Sequence, residues 1–164
     1  MTRNIATNRS VERDELLNFI RPRHRGILCT QKRDKKPQMS LVTMGVSASG
    51  KILIASYPER VKVSNARRNP EASICVMGEE FNSEWVQVDG HIEVLDLPSA
   101  LDGLCEYFQV ISGDHSDWEE YRSAMVKQGK VLLELSVERW SPISQGGFPA
   151  RLVCLLYTSD AADE

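Results

Sequence analysis

Short apolar or alternating runs of residues, each closed by a polar turn, recur along most of this chain. Residues 26–31 and 37–46 form the first two runs, and the polar cluster at residues 32–36 separates them by one tight turn. We therefore expect the two runs to pair as an antiparallel hairpin. Further strands are predicted over residues 51–56, 72–77, 85–95 and 131–140. Gly90, inside a long alternating run, indicates a β-bulge.

Helical patterns interrupt these strands without the regular spacing of β-α-β units. Helices are predicted over residues 10–20, with Ser10 as the N-cap, over residues 59–69 and 99–110, and in a fourth segment that Gly129 ends. Ser116 and Glu119 have the spacing of a capping box, so we expect Ser116 to cap the fourth helix. Its apolar face would carry Trp118, Tyr121 and Met125. The pattern favours a mainly β protein of the α+β class, a small barrel of antiparallel strands with helices packed outside.

Composition excludes several classes of protein. Of the 164 residues, 41% are hydrophobic and 26% are charged, which is typical of a globular domain with a real core. No apolar run approaches the roughly 20 residues of a membrane span. The first ten residues are polar and lack a signal-peptide core, so a cytoplasmic location is expected. Acids balance the basic residues and no aromatic platform accompanies them, which argues against nucleic-acid binding.

The cysteines and histidines do not form a recognisable metal site. Cys29, Cys75, Cys105 and Cys154 are scattered without a C-x-x-C pair, and the first two lie in apolar runs, where we expect buried small hydrophobic residues. His24, His91 and His115 are not paired at helical spacing. No metal is therefore expected.

The last eleven residues, 154–164, resemble the translation of a sequencing adapter read through in frame. Without the acids Asp160, Asp163 and Glu164 the acidic count falls from 23 to 20, equal to the 20 basic residues, and the net charge of −3 becomes zero. We therefore expect one native domain over residues 1–153 and a non-native tail. A genuine acidic C-terminus is the alternative.

Residues 51–70 combine an apolar strand, a Tyr57-Pro58 stop and a basic helix start. The free N–H groups and the positive dipole end of a helix favour an anion, and Arg60 and Lys62 would add two cations there. Residues two positions apart on a helix diverge by about 200°. Both side chains can grip one phosphate only if Arg60 precedes the regular helix, which Pro58 favours. The alternative is an ordinary solvated basic helix face.

Four segments together resemble the flavin split-barrel superfamily, the pyridoxamine 5′-phosphate oxidase-like group. They are the hairpin of residues 26–40, the motif Arg60-Val61-Lys62 with Asn65-Ala66-Arg67-Arg68-Asn69-Pro70, the Gly90 strand, and residues 113–126. The resemblance spans residues 16–140 and is greatest to enzymes that use the deazaflavin coenzyme F-420. It implies a split β-barrel of about six antiparallel strands, of the FMN-binding type.

The resemblance further implies a homodimer with redox cofactors at its interface. Arg60 and Lys62 match the pair that engages the cofactor phosphate, and Asn65 lies in the same segment. Residues 37–43 match the strand that borders the tricyclic ring, with Ser40 and Val42 as the expected ring neighbours. For Arg67 and Arg68 two roles remain possible, a contact with the acidic tail of the cofactor and an exposed structural role.

The implied activity is hydride transfer from reduced F-420 to a small unsaturated substrate, which needs little acid or base from the protein. Accordingly the sequence offers no obvious triad, P-loop or G-x-G-x-x-G motif, and no catalytic residue is assigned. Tyr57, beside the phosphate turn, is a candidate cofactor-site residue and proton donor, with an interface or surface aromatic as the alternative. His115 is expected at the entry of a helix rather than as a base, and Trp85 is a packing residue or a pocket wall. The alternatives are an FMN-dependent oxidase or reductase on the same barrel and a non-catalytic flavin or deazaflavin carrier. The basic and aromatic C-terminal signature of true pyridoxamine phosphate oxidase is not found.

Overall fold

The computed structural model describes residues 4–152 and contains a curled antiparallel sheet with helices outside it. The strands are β1 (Thr7–Arg9), β2 (Arg25–Gln31), β3 (Pro37–Thr43), β4 (Gly45–Val46), β5 (Ile52–Ser56), β6 (Glu71–Met77), β7 (Trp85–Leu95), β8 (Val131–Trp140) and β9 (Ile143–Gln145). The helices are α1 (Arg13–Ile20), α2 (Val61–Arg68), α3 (Leu101–Ser112) and α4 (Trp118–Gln128), and a 3-10 turn covers Ala150–Leu152. The predicted tail at residues 154–164 lies outside the described residues.

The strand order is β3-β2-β6-β7-β8-β5-β4, and all these neighbours are antiparallel. The six predicted strands are all present, and β2 and β3 form the expected hairpin. The predicted strand over residues 37–46 is divided into β3 and β4, because the chain leaves the hairpin at Met44 to pair with β5. The sequence pattern did not indicate β1 and β9, two short strands that pair with each other.

Gly90 marks the bulge that the sequence predicted. The register of β7 against β8 shifts between Asp89 and Gly90. A Cβ atom at Gly90 would lie 1.8 Å from the carbonyl oxygen of Ser136, so only glycine fits this close approach of two strands. The bulge is therefore built on a backbone contact that excludes every side chain.

Two predicted helix caps are wrong. Helix α1 begins only at Arg13, after the extended residue Glu12, and Ser10 does not cap it. Helix α4 is capped by Asp117, whose carboxylate accepts hydrogen bonds from the backbone N–H groups of Glu119 and Glu120 at 3.1 and 3.0 Å. The cap lies one residue after Ser116, because the backbone of Asp117 is extended and that of Trp118 is already helical. The predicted stop at Gly129 is confirmed, since this residue adopts the left-handed conformation.

Two apolar clusters stabilise the fold. The inner face of the sheet packs against α1 and α2 and buries side chains that include Leu28, Ile74, Val88 and Leu133. On its other side the sheet packs against α3 and α4. That second cluster contains Leu53, Leu104, Tyr121, Met125 and Leu132.

Two further findings concern cysteines and membrane spans. The predicted buried cysteines Cys29 and Cys75 are only partly buried, because their side chains point to the outer face of β2 and β6. Among residues 4–152, no helix has the length and apolar character needed to cross a membrane.

Candidate anion site at the start of helix α2

The start of α2 has the backbone geometry that an anion site needs. Strand β5 ends at Ser56, and Arg60 is the N-cap, with extended dihedral angles of φ −70° and ψ 139°. Regular helix begins only at Val61. Arg60 therefore precedes the helix, as the sequence argument required, and its side chain is not held on the helix face opposite Lys62. The helix ends before Pro70 because the preceding residue, Asn69, is forced into an extended conformation.

The electrostatics of this helix start are unfavourable in the absence of an anion. Within residues 4–152, neither Arg60 nor Lys62 forms a side-chain hydrogen bond or ion pair, and the first turn of α2 contains no acidic residue. Partial burial, and then the positive charge of Arg60, lower the pKa of Lys62. Two cations thus lie beside the positive end of the helix dipole, and a bound anion would relieve the repulsion among them.

The predicted residue Asn65 lies on the same side of α2, one turn after Lys62, and it is not free to move. Its side chain is only 4% exposed, and its amide nitrogen donates to the hydroxyl of Thr30 on β2 at 3.1 Å. Its carbonyl oxygen accepts from Arg68 at 2.7 Å. Asn65 therefore anchors α2 to the sheet below the cationic pair.

Ser40 and Val42 lie on the inward-facing side of β3, which is an edge strand of the sheet. Val42 packs against the main core, and both side chains are partly buried. The hydroxyl oxygen of Ser40 accepts a hydrogen bond from the amide nitrogen of Gln38 at 2.9 Å. Gln38 in turn accepts from Thr30 at 3.1 Å, so Ser40 and Asn65 belong to one hydrogen-bonded chain.

Sequence reasoning missed Thr30 and Gln38, the two residues that connect these predicted site residues. Thr30 is 2% exposed, and its position in the alternation of β2 puts it on the face of Gly26 and Leu28. A polar residue at a buried position of an alternating strand was the one available signal. Its partners could not be read from the sequence.

The remaining predicted site residues have partners of their own. Arg67 forms a two-pronged ion pair with Asp96, with N–O distances of 2.9 and 2.5 Å, and this hydrogen bonding raises its pKa. Arg68 donates to the carbonyl oxygen of Gln31 at 3.0 Å as well as to Asn65. The Tyr57 ring lies under the ammonium group of Lys130, which is 3.9 Å from the ring centroid.

Two cavities lie on the outer face of the sheet and away from Arg60 and Lys62. One, of about 780 Å³, is mainly apolar and is lined in part by Ile27, Met77, Phe81 and Trp85. The other, of about 380 Å³, is polar, and its lining residues include Cys29 and Arg139. The polar cavity contains the cations Lys35 and Arg139, but the acids Glu71, Asp89 and Glu138 line it as well. The first turn of α2 contains no acid, so we regard the start of α2 as the better anion site. No cluster of three potential metal ligands occurs within residues 4–152.

Comparison with known proteins places this geometry in context. The chain matches the family model described as pyridoxamine 5′-phosphate oxidase over residues 13–144. A conserved hypothetical protein, Rv2991 from Mycobacterium tuberculosis, is 19% identical, with a TM-score of 0.69 and coverage of 85% of this chain and 89% of that one. A FAD-binding protein from Mesorhizobium loti is 19% identical, with a TM-score of 0.62 and coverage of 86% and 98%. An F420 reductase is 17% identical, with a TM-score of 0.57 and coverage of 76% and 94%.

Proposed function

Because the chain belongs to the pyridoxamine 5′-phosphate oxidase family, we propose that the start of α2 holds the phosphate of a flavin-type redox cofactor. Membership of the family confirms the resemblance that the sequence motifs indicated, and the curled antiparallel sheet confirms the split-barrel fold class. The observation that carries the proposal is the unpaired cationic pair of Arg60 and Lys62 at the N-terminus of a helix.

The cofactor that we propose is the deazaflavin coenzyme F-420, with FMN as the alternative. One of the structural neighbours is an F420 reductase and another is a FAD-binding protein. The neighbours therefore support a flavin-type cofactor more strongly than they support F-420 or FMN in particular. Such a cofactor, when bound and reduced, supplies a hydride to an electrophilic double bond. The substrate would be a small unsaturated organic molecule.

The roles of this chain's own residues follow from their positions. Arg60 offers a planar guanidinium and Lys62 a point charge to the phosphate. Ser40 and Val42, on the inward side of β3, would border the ring, and Asn65 would fix α2 relative to that strand. These residues bind and orient, and no proton transfer is assigned to them.

For three other predicted residues the contacts favour the structural alternatives. Arg67 is already neutralised by Asp96, and Arg68 is tied to the sheet and to Asn65. Tyr57 donates a long hydrogen bond of 3.4 Å to Gln128, and its ring lies under the ammonium group of Lys130. We therefore assign the phosphate to Arg60 and Lys62 alone.

We also propose that the protein is a homodimer, in which a second copy covers the outer face of β3, β2 and β6. Met39 and Leu41 on that face are 67% and 82% exposed, and Leu41 lies in one row with Ile27 and Cys75. An apolar face of this kind is typical of a subunit interface. Sedimentation velocity should show a dimer that Leu41→Glu converts to a monomer, whereas a monomeric wild-type protein would contradict the proposal.

A binding titration separates the candidate cofactors. Purified protein is titrated with F-420 and with FMN, and the same titrations are repeated with the Arg60→Ala/Lys62→Ala variant. We expect tighter binding of F-420 and loss of most of that affinity in the variant. Weak and equal binding of both cofactors, unchanged by the substitutions, would refute the phosphate site.

A turnover assay separates an enzyme from a carrier. Reduced cofactor is supplied together with unsaturated acceptors, and its oxidation is followed by absorbance under anaerobic conditions. An oxidoreductase sustains multiple turnovers that depend on the acceptor. Tight binding with no acceptor-dependent oxidation across a broad acceptor panel would favour the carrier.

A further inference from the structure

Five side chains form one continuous hydrogen-bonded chain from the end of α2 to the middle of β3. Arg68 contacts Asn65 at 2.7 Å, Asn65 contacts Thr30 at 3.1 Å, Thr30 contacts Gln38 at 3.1 Å, and Gln38 contacts Ser40 at 2.9 Å. We refer to these five residues as the relay. Because Ser40 is a proposed ring neighbour, what the relay does to Ser40 bears on cofactor recognition, and the inference rests on the proposed function.

The direction of the first half of the relay is set by Arg68. A guanidinium can only donate hydrogen bonds, so the atom of Asn65 that faces Arg68 must be the carbonyl oxygen. The amide nitrogen of Asn65 then points to Thr30 and donates to its hydroxyl oxygen. The hydroxyl of Thr30 has accepted one bond and directs its own proton to Gln38.

The direction of the second half is set independently by a backbone carbonyl. The side-chain nitrogen of Gln38 lies 2.8 Å from the carbonyl oxygen of Met39, which can only accept a hydrogen bond. That contact identifies the nitrogen of Gln38, and the opposite atom, which receives the Thr30 proton, is its oxygen. Both halves of the relay therefore run in the same direction.

The relay ends at the hydroxyl group of Ser40, which accepts a hydrogen bond but, in the part of the chain that the structure describes, does not donate one. The hydroxyl oxygen of Ser40 accepts from the nitrogen of Gln38, so its own O–H must point elsewhere. Among residues 4–152, the Ser40 hydroxyl donates no hydrogen bond. The side chain is partly exposed on the inward face of an edge strand, where a ligand can reach it.

We propose that Thr30 and Gln38 are positioning residues that hold Ser40 as a hydrogen-bond donor to the cofactor ring. The site then selects a ring that presents an acceptor, such as a carbonyl oxygen, to Ser40, and it disfavours a ring that presents an N–H group there. Arg68 has a defined part in this recognition without contacting the cofactor, because it fixes the orientation of the Asn65 amide, which donates to Thr30.

A double-mutant cycle tests whether Gln38 acts through Ser40. Dissociation constants for F-420 and FMN are measured for wild-type protein, Gln38→Met, Ser40→Ala and the double variant. Met is close to Gln in size and adds no charge. We expect a loss of about three- to tenfold for each single variant, and no further loss when Gln38→Met is added to Ser40→Ala. Losses that multiply in the double variant would overturn the proposal, because Gln38 would then act independently of Ser40.

A second pair of variants keeps the test decisive if Gln38→Met does not fold. Thr30→Val removes the hydroxyl at nearly constant shape, and Thr30→Ser restores it. We expect weaker cofactor binding for Thr30→Val and near wild-type binding for Thr30→Ser. Equal affinities for the two variants would contradict the relay.

Failure of the relay and failure of the proposed function give different results. If wild-type protein binds neither cofactor, the proposed function fails, and the relay is decided by nuclear magnetic resonance of the ligand-free protein. The side-chain amide protons of Asn65 should shift upfield in Thr30→Val and not in Thr30→Ser. Unchanged amide resonances in Thr30→Val would show that the relay does not exist.

Discussion

Replacing Lys62 by Met should weaken cofactor binding without destabilising the ligand-free protein. A hydrogen bond to a charged group contributes about 1.5–3 kcal/mol, which corresponds to a roughly 10- to 150-fold increase in the dissociation constant when it is lost. Met retains the apolar stem of Lys62, which is partly buried against α2 and its neighbours. The loss should therefore report on the charge.

The stability of the ligand-free protein should not fall when Lys62 is replaced by Met. Burial and the charge of Arg60 already disfavour the charged form of Lys62, and no acid in the first turn of α2 offsets them. A cation at the positive end of a helix costs about 0.3–1 kcal/mol. Removing it should leave the melting temperature unchanged or raise it by about 1–4 °C for a domain of this size.

The two quantities are measured by titration calorimetry and by thermal unfolding without ligand. Arg122→Met is the matched control, because Arg122 is an exposed cation that pairs with Asp102 on the surface of α3 and α4. The control should leave cofactor affinity unchanged. A lower melting temperature for Lys62→Met together with unchanged affinity would refute the reasoning, since Lys62 would then be an ordinary stabilising surface residue.

Three further predictions follow from the pKa of Lys62 and from the local backbone. In the free protein the pKa of Lys62 is lowered from 10.5, and a bound phosphate would raise it again. Cofactor affinity should therefore be constant near neutral pH and fall as the pH rises through the lowered pKa of Lys62. Binding titrations from pH 7 to 10.5 check this, and the Lys62→Arg variant should not show the fall. Gly90→Ala should destabilise the protein by at least about 1–3 kcal/mol in urea unfolding, whereas Gly146→Ala, where a Cβ meets nothing within 4 Å, should change little; equal effects would contradict the account of the bulge. Asp117→Ala should lower the free energy of unfolding by about 1 kcal/mol, because the cap of α4 is lost, and Ser116→Ala should lower it much less. A larger loss for Ser116→Ala than for Asp117→Ala would instead support a capping box that begins at Ser116.

The main strands could be predicted from the sequence because their side chains alternate between a buried and an exposed face. Residues 85–95 show that period from Trp85 to Glu93, and Gly90 lies where a Cβ atom would clash with the carbonyl oxygen of Ser136 on β8. Strands β1 and β9 have three residues each, which is too short for a period to be recognised. Their pairing depends on the distant ends of the chain meeting.

The caps show a different limit of sequence reasoning. Ser116 and Asp117 are both good N-cap residues, so residue type does not choose between them. The choice depends on which residue has an extended backbone directly before the helix, and in the structure this residue is Asp117. An error of one residue in the predicted helix start therefore changes which side chain caps the helix.

The cationic pair could be predicted because strand, stop and basic residues are adjacent in the sequence. The relay could not be predicted, because its members at positions 30, 38, 40, 65 and 68 come from two strands and a helix. Hydrogen bonds between residues so distant in sequence are set by sheet register and helix docking. The same contacts explain why Arg68, which resembles a ligand-binding cation in sequence, points instead to Asn65 and the end of β2.

The most direct test of the central claim is a crystal structure of the protein with bound coenzyme F-420. We expect the cofactor phosphate to lie within hydrogen-bonding distance of the Arg60 guanidinium and the Lys62 ammonium group, with the ring along the inward face of β3. A phosphate bound elsewhere, for example in the polar cavity beside Arg139, with Arg60 and Lys62 still unpaired, would contradict the assignment of the anion site to the start of α2.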